Sequence, residues 1–314
     1  MDTKNDSIIL ATASYDFDIK IWHAHNGECA RTFSHPESQT NALAISPDRF
    51  LLGSAGYQHV RMYDINSNSP NHLISYDGIQ KNVTALGFQE DGKWMYTGGE
   101  DCTAKIWDIR GARSLVVARI FQIDSPVLCA TLHPNQAQLF IGDQSGIIHI
   151  WDVKTKHSEQ LIPEVEASIQ HLDVSSDGKM LAAVTNKGRA YVWRLDGSST
   201  GAPPRIVPVH KINVHSTYAL KVRFAPDCNT MVTTSADCTA KIWRTDDFSL
   251  VTTLTDTQQK WVWDAAYSGD SQYLFTGSSD YVARLWSIKT SSVKRRYQGH
   301  RKVITALAFK DRVL

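Results

Sequence analysis

The sequence predicts an all-β protein, a seven-bladed WD-repeat β-propeller. Aromatic anchor residues recur along the chain at the ends of similar segments such as AKIWD and ARLW. The anchors are Trp22, Tyr63, Trp107, Trp151, Trp193, Trp243 and Trp286. The intervals between them are 41, 44, 44, 42, 50 and 43 residues. A repeat of about 40–45 residues with a Trp-Asp dipeptide is typical of propeller blades of four strands each.

Each interval resolves into four short strands, a to d. In the third interval they read VTALGF, WMYTGGED, TAKIWDI and VVARIFQID, and the turns between them are rich in Gly and Asp. Four blades have an aspartate six residues before the anchor, in the b–c turn, where its carboxylate can accept hydrogen bonds that hold the blade corner. These structural residues are Asp16, Asp101, Asp237 and Asp280. The other blades, two, four and five, have Tyr57, Ser145 and Lys187 instead, so we expect weaker corners there.

The two ends of the chain predict how the ring closes. The chain begins with a b strand, SIILATASYD, and finishes with GHRKVITALAFKD, which reads as an a strand with no anchor after it. We therefore expect residues 303–310 to complete the blade begun at residues 7–34, with His300 as a further blade-corner residue. Residues 1–314 would then form one propeller domain. Loss of the last strand would expose unpaired strand edges.

Composition and charge argue against several partners. The 314 residues carry a net charge of +1 with no long basic block, which disfavours nucleic acid and anionic membrane surfaces. The first residues lack the apolar stretch of a secretory signal, and no apolar run reaches the eighteen or so residues of a membrane span. We expect a cytoplasmic protein.

Motifs for catalysis or metal binding are absent from the sequence. The five cysteines include no CxxC pair, and the twelve histidines show no ligand spacing. No phosphate-binding loop, GxSxG or dinucleotide-binding motif follows a strand. Serines before the turn aspartates recur with the blades, which favours a structural role. We predict no enzyme activity, no cofactor and no metal.

Function is then expected on a surface, and one segment stands out. The a strands begin at one rim of the ring, together with the b–c turns, and two positions at that start hold mostly small or polar residues in six blades. Blade seven holds Trp261 and Trp263 there. Large aromatic rings dominate protein-binding hot spots, so we predict that at least one of these indoles forms part of a protein-binding patch. Hydrogen-bonding residues at its border would be Tyr218, Gln39, Asn41 and Asn82.

Several segments beyond the repeat resemble one family along essentially the whole chain. They include SQTNALAISPD, GYQHVRMYDI, DGKWMYTGGEDCTAKIWD, NKGRAYVWRL and WVWDAAYSGDSQYL. The chain resembles the WD-repeat subunit of the target-of-rapamycin (TOR) kinase complexes, the G-protein-β-like family. It departs from that family at residues 256–261, where DTQQKW replaces a Gly-His, and in VHSTYALK.

The resemblance implies a scaffold subunit without catalysis of its own. It would bind the C-terminal lobe of the TOR kinase domain through one propeller face, stabilise that domain, and assemble with other TOR-complex subunits in growth signalling. Gln39, Trp261 and Trp263 match rim residues associated with the kinase contact. A cytoplasmic location, with peripheral attachment to endomembranes through the complex, would follow.

Two other classes of function stay open at this point. A reader of a modified peptide, or an adaptor for a different partner, would use the channel mouth as a pocket, with Trp261, Trp263 and Tyr218 around Asp264 or Glu100 as an aromatic cage for methylammonium groups. A propeller enzyme would need acidic or histidine clusters in the channel, whereas the rim positions are mainly neutral.

Overall fold

Seven four-stranded antiparallel sheets make up the structure, which confirms the predicted propeller. The computed structural model describes residues 8–76, 79–110, 116–155, 157–197 and 205–311. Each sheet is one blade, with strand a nearest the central channel and strand d outermost.

The strands fall into four sets by their position in the blade, and each set runs from blade one to blade seven. The a strands are β28 (Ile304–Lys310), β4 (Ala42–Ile45), β8 (Val83–Phe88), β12 (Val127–Leu132), β16 (Ile169–Val174), β20 (Ala219–Phe224) and β24 (Val262–Tyr267). The b strands are β1 (Ile9–Ser14), β5 (Leu51–Ala55), β9 (Trp94–Gly99), β13 (Gln138–Asp143), β17 (Met180–Thr185), β21 (Thr230–Ser235) and β25 (Tyr273–Ser278). The c strands are β2 (Asp18–Trp22), β6 (Val60–Asp64), β10 (Thr103–Asp108), β14 (Ile148–Asp152), β18 (Arg189–Asp196), β22 (Ala240–Arg244) and β26 (Val282–Ser287). The d strands are β3 (Cys29–Ser34), β7 (Ile74–Tyr76), β11 (Val116–Gln122), β15 (Ser158–Leu161), β19 (Arg205–Asn213), β23 (Leu250–Leu254) and β27 (Ser292–Gln298).

The last strand closes the ring, as the sequence predicted. In blade one the strand order is β28-β1-β2-β3, and Leu10 lies opposite Phe309 in the antiparallel register. Pairing the first and last strands removes the two edges that an open ring would expose.

The anchor aromatics pack in the core between neighbouring blades. Trp22, Trp151 and Trp286 are each at most 2% exposed. At the joint between blades seven and one, Trp22 shares a buried cluster with Phe275 and Leu307. Burying a large aromatic side chain contributes on the order of 2–3 kcal/mol, so each anchor stabilises both its own blade and the contact with the next.

A belt of side-chain contacts also joins each a strand to the next blade around the channel. Threonine, asparagine, cysteine or histidine side chains contact a backbone carbonyl of the following blade at five joints. They are Thr305 to Thr40 O at 2.6 Å, Asn41 to Val83 O at 3.0 Å, Thr84 to Val127 O at 2.8 Å, Cys129 to Ile169 O at 3.8 Å and His171 to Val222 O at 3.0 Å. Charged groups complete the circle: Lys221 lies 3.4 Å from Asp264, and that carboxylate accepts from Leu307 N at 2.9 Å.

The insertion that lengthens the repeat interval from Trp193 to Trp243 lies between β18 and β19. The segment 196–205, DGSSTGAPPR, follows a c strand, and its composition predicts a flexible loop on the face opposite the b–c turns. Asp196 ends β18 and Arg205 begins β19, and residues 198–204 lie outside the described part of the chain. Within the described residues, no helix is long and apolar enough to cross a membrane.

Candidate protein-binding surface

The two tryptophans of blade seven lie together at the rim formed by the b–c turns. Trp261 directly precedes β24 and is 43% exposed, while Trp263 is half-buried. Their ring centroids are 5.7 Å apart. Trp263 Nε1 donates to Ser279 Oγ at 2.7 Å, and Trp261 O accepts from Ser279 N at 2.9 Å. The b–c turn of the same blade therefore holds Trp263 through its indole and Trp261 through its backbone carbonyl.

A β-bulge aims Trp263 toward the channel mouth. The register of β24 against β25 shifts between Val262 and Asp264, both of which are buried. Such a bulge leaves one residue outside the regular pairing and redirects its side chain. The a strands of blades three to six shift at the same point, and the redirected residues line the channel mouth with Trp263. They are Thr84, Leu128, Gln170 and Leu220.

The b–c turns place further aromatic rings on this rim, and sequence reasoning missed them. In every blade, the residue that follows the position of the turn aspartate has a positive φ. The value is 66° at Phe17 and 72° at Tyr281. This conformation costs a non-glycine residue roughly 1–2 kcal/mol. Bulky residues there are unusual, and both rings are exposed, at 41% and 45%. The strained positions point to a role at the surface.

These aromatic residues all lie on the b–c rim of blades six, seven, one and two, and we call the set the aromatic arc. Its members are Tyr218, Trp261, Trp263, Tyr281, Phe17, Tyr15 and Tyr57. Apart from the half-buried Trp263, they are 39–51% exposed. Lys302 Nζ lies 5.5 Å from the centre of the Phe17 ring. An aromatic next to a turn aspartate, as in YDFD and SDYV, is the sequence signal that could have revealed them.

The polar residues predicted at the border occupy the same rim, at the start of blades two and three. Gln39 is half-buried. Asn41 donates to Val83 O and, at 3.5 Å, to Asn82 Oδ1. Asn82 in turn donates to Glu100 Oε2 at 3.1 Å. The two asparagines thus join blades two and three, and part of their hydrogen-bonding capacity is used within the ring.

Two of the corner aspartates bind a histidine in the same way. His300 donates from Nδ1 to Asp16 Oδ2 at 3.0 Å and accepts from Thr12, which also accepts from Trp22 Nε1. Asp237 has the equivalent contact with His215, at 2.9 Å. Burial alone would raise the pKa of Asp16, but hydrogen bonds from His300 and a backbone amide outweigh burial and hold the pKa well below its usual value.

The other corners use different cations. Asp101 accepts from Lys105 Nζ at 2.6 Å. Asp280 binds Arg284, whose guanidinium also donates to Asp256 at 2.8 Å. Asp256 of this ion-pair network lies in the segment 256–261, where the sequence lacks the Gly-His of the family that it resembles.

The expectation of a weaker corner is wrong for blade four. Asp143, two residues before Ser145, accepts from Ile147 N at 2.9 Å and from His149 Nε2 at 2.9 Å. Ser145 itself donates to Asp143 at 2.7 Å. The carboxylate has moved along the turn, so a search at one fixed position does not find it.

The channel mouth contains buried ion pairs that the sequence did not indicate. A cavity of about 260 Å³ is lined by Trp263, Glu100 and Asp264 among others. Asp264 is 2% exposed and accepts from two backbone amides besides its contact with Lys221. Burial lowers the pKa of Lys221, and the negative charge of Asp264 opposes this lowering. One of the carboxylates proposed for a methylammonium cage is therefore already paired with a cation of the chain itself.

Metal-binding clusters are missing from the part of the chain that the structure describes, where no three His, Cys, Asp or Glu residues are grouped to hold an ion. The polar groups around the channel hydrogen-bond one another and the backbone.

Comparison with known proteins gives the family. The model of the WD domain, G-beta repeat, matches residues 70–108, 206–244 and 248–287. The target of rapamycin complex subunit LST8 of Bos taurus is 54% identical over 317 residues, covering 99% of this chain and 97% of that protein. The subunit of the same name in Saccharomyces cerevisiae is 43% identical, covering 97% and 99%. Protein LST8 homolog of Drosophila melanogaster is 49% identical, covering 98% and 97%. This chain belongs to the LST8 family of WD-repeat proteins.

Proposed function

We propose that the chain is a non-catalytic scaffold subunit of TOR complexes that binds the C-terminal lobe of the TOR kinase domain through the aromatic arc. The names of its relatives support the complex, and the arc supports the contact surface. The observation that carries the proposal is the pair Trp261 and Trp263, held side by side at the rim with one indole 43% exposed. A cytoplasmic location is part of this proposal.

The arc has the properties of a binding hot spot. Its rings are large, so each can bury roughly 150–250 Å² on contact. The hydrogen bond from Nε1 to Ser279 Oγ fixes the Trp263 indole before any partner arrives, so little conformational freedom is lost on binding. Gln39 and Tyr218 at the border can supply polar contacts around an apolar centre.

Binding would stabilise the kinase without any chemistry by the propeller. A partner that binds only the folded kinase favours that fold, by about 2.7 kcal/mol at a concentration one hundred times the Kd. The ring is well suited to this because each blade is joined to the next around the channel. A rigid surface can hold a mobile segment of the partner in one conformation.

The test compares the double variant Trp261→Ala/Trp263→Ala with wild type for binding to full-length TOR kinase. We expect binding to weaken about a hundred-fold or more, because truncating a hot-spot residue costs about 2 kcal/mol or more. The melting temperature of the propeller should change little. Phe50→Ala is the matched control, since Phe50 is 59% exposed in the a–b turn of blade two, on the opposite face. Unchanged binding of the double variant would refute the arc as the kinase contact.

A second measurement addresses the stabilising role. The thermal unfolding of the TOR kinase is followed with and without the propeller, at concentrations above the Kd. The proposal requires a higher melting temperature of the kinase with wild type, and no rise with the double variant. A reader of modified peptides would instead bind methylated peptides without any kinase, and it would do so through the channel mouth, where Lys221 already pairs with Asp264.

A further inference from the structure

We infer a second interaction site: an apolar cleft at the ring-closure joint that accepts a short peptide in which a basic residue stands beside a bulky apolar one. The cleft has a volume of about 240 Å³. It lies between blades seven and one, at the a–b and c–d turns, because its lining residues come from the ends of β24, β2 and β28. This is the face opposite the aromatic arc, so the inference goes beyond the proposed kinase contact.

The lining of the cleft is mainly apolar and partly open to solvent. Phe275 and Phe309 stack with centroids 4.6 Å apart and form its floor. Ile8 and Tyr273 stand at its edge and are 42% and 39% exposed. Exposed apolar side chains around a preformed cavity are the usual lining of a ligand or peptide pocket.

The charges beside the cleft determine which peptide fits. Asp270 and Asp311 both line it. Asp311 accepts from Gly269 N at 2.8 Å, and Asp270 accepts from Gln272 N at 3.0 Å. Ser268 Oγ also donates to Asp270 at 2.5 Å, so the hydrogen-bond donors that the described residues supply to these two carboxylates are neutral. Two carboxylates whose described donors are neutral, next to an apolar cavity, favour a ligand that brings a positive charge with its apolar anchor.

The joint is a suitable place for such a site because it is rigid. Phe275 is part of the buried cluster with Trp22 and Leu307 that connects the two ends of the ring. The floor of the cleft therefore needs no rearrangement to receive a side chain, which reduces the entropic cost of binding.

The experiment titrates the full chain, labelled at isoleucine and leucine methyl groups, with the peptide GSKRFLGS and follows NMR signals of Ile8 and Leu285, both of which line the cleft. We expect saturable shifts of these signals. The peptide GSEEFLGS should bind at least about fivefold more weakly, because its carboxylates face Asp270 and Asp311. Replacing Phe-Leu by Ala-Ala should abolish the shifts.

Asp270→Asn provides the decisive variant, since an amide oxygen can still accept from Gln272 N while the charge is lost. It should weaken GSKRFLGS about three- to tenfold. Asp227→Asn is the matched control, because Asp227 occupies the same turn position in blade six and accepts from Asn229 N at 3.0 Å. The inference is overturned if no shift occurs up to about 5 mM peptide, or if the acidic peptide binds equally well. It is also overturned if deleting residues 312–314 moves the same signals without peptide, because the chain's own end would then fill the cleft.

Discussion

The two halves of the b–c rim differ in what they present to solvent. Blades six, seven, one and two carry the aromatic arc, and at the b–c turn position with positive φ blades seven and one have Tyr281 and Phe17. The same turn position in the plain half, blades three, four and five, holds Cys102, Gly146 and Gly188. The backbone is the same in both halves, since φ is 61° at Cys102 and 72° at Tyr281. The fold therefore requires the left-handed turn but does not require an aromatic ring there.

This difference separates structural from functional requirements. Glycine or a small residue suits the left-handed turn, and two of the three blades in the plain half have glycine. Phe17 and Tyr281 occupy the same conformation at a cost of roughly 1–2 kcal/mol each. Gln58, Cys102 and Cys238 also occupy this conformation, so what distinguishes Phe17 and Tyr281 is the exposed ring, which the proposed kinase contact would use. Changes made in one half and matched in the other can therefore test which requirement each residue serves.

The largest effect is expected from deleting residues 304–314, which removes β28 from the middle of the aromatic half. Blade one would lose the partner of β1, and the cluster around Trp22 would be opened. We expect loss of cooperative unfolding and aggregation in size-exclusion chromatography, because a strand edge becomes free. Deleting only residues 312–314 is the control. A truncated chain that still melts cooperatively would show that closure is not needed.

The next effect concerns the corners that support each half. Asp16→Ala leaves His300 and the backbone amide of Arg301 without their acceptor, and we expect the free energy of unfolding to fall by about 2–3 kcal/mol. Asp101→Ala in blade three removes the partner of Lys105 and should cost about 1 kcal/mol, because water can reach that ammonium more easily. Urea unfolding of both variants gives the values. Equal losses would contradict the special role of the closure corner.

A pH experiment asks whether the two halves resist acid equally. Burial, with the nearby charges of His59 and Arg61, lowers the pKa of His35 in blade two to about 3, and burial also lowers the pKa of His171 in blade five. The unfolded chain takes up a proton near pH 6.5 while the folded His35 stays neutral. The contribution of His35 to stability should therefore fall by about 1.4 kcal/mol per pH unit from pH 6.5 down to about 3, and the contribution of His171 should fall in the same direction below pH 6.5.

His35→Gln and His171→Gln should each reduce that slope. Urea unfolding from pH 7.5 to pH 5 measures it, with the exposed His157→Gln as control. Equal reductions would mean that the halves differ in surface but not in their response to acid. A slope unchanged in both variants would refute the assignment of neutral buried histidines.

The smallest effect is expected from Tyr281→Gly. Relief of the left-handed conformation and the greater freedom of glycine in the unfolded chain oppose each other, so the unfolding free energy should change by less than about 1 kcal/mol. Binding to TOR kinase should weaken about fivefold, because a ring of the arc is lost. Cys102→Gly makes the same backbone change in the plain half and should leave binding unaffected. Calorimetry and a binding titration distinguish them, and equal binding by both variants would remove Tyr281 from the contact.

The repeat made the fold predictable because each blade buries one anchor in the same environment. The anchors, from Trp22 to Trp286, therefore recur at intervals of 41–50 residues. Trp261 and Trp263 stood out because they depart from the repeat. Phe17 and Tyr281 were missed because the sequence was compared at the starts of the a strands, whereas their signal is an aromatic next to a turn aspartate. The pairing of Lys221 with Asp264 joins different blades, and no local pattern of residues encodes such a contact.

The belt around the channel has a mechanical consequence. Every a strand is attached to the next by a side chain, and the last joint, from Asp264 to Leu307 N, returns to the first blade. A closed series of attachments distributes a pull on any one blade over all seven joints. A force that a partner applies to the rim is therefore distributed over all the blades. The protein should respond to such a force as one stiff ring rather than as seven separable sheets.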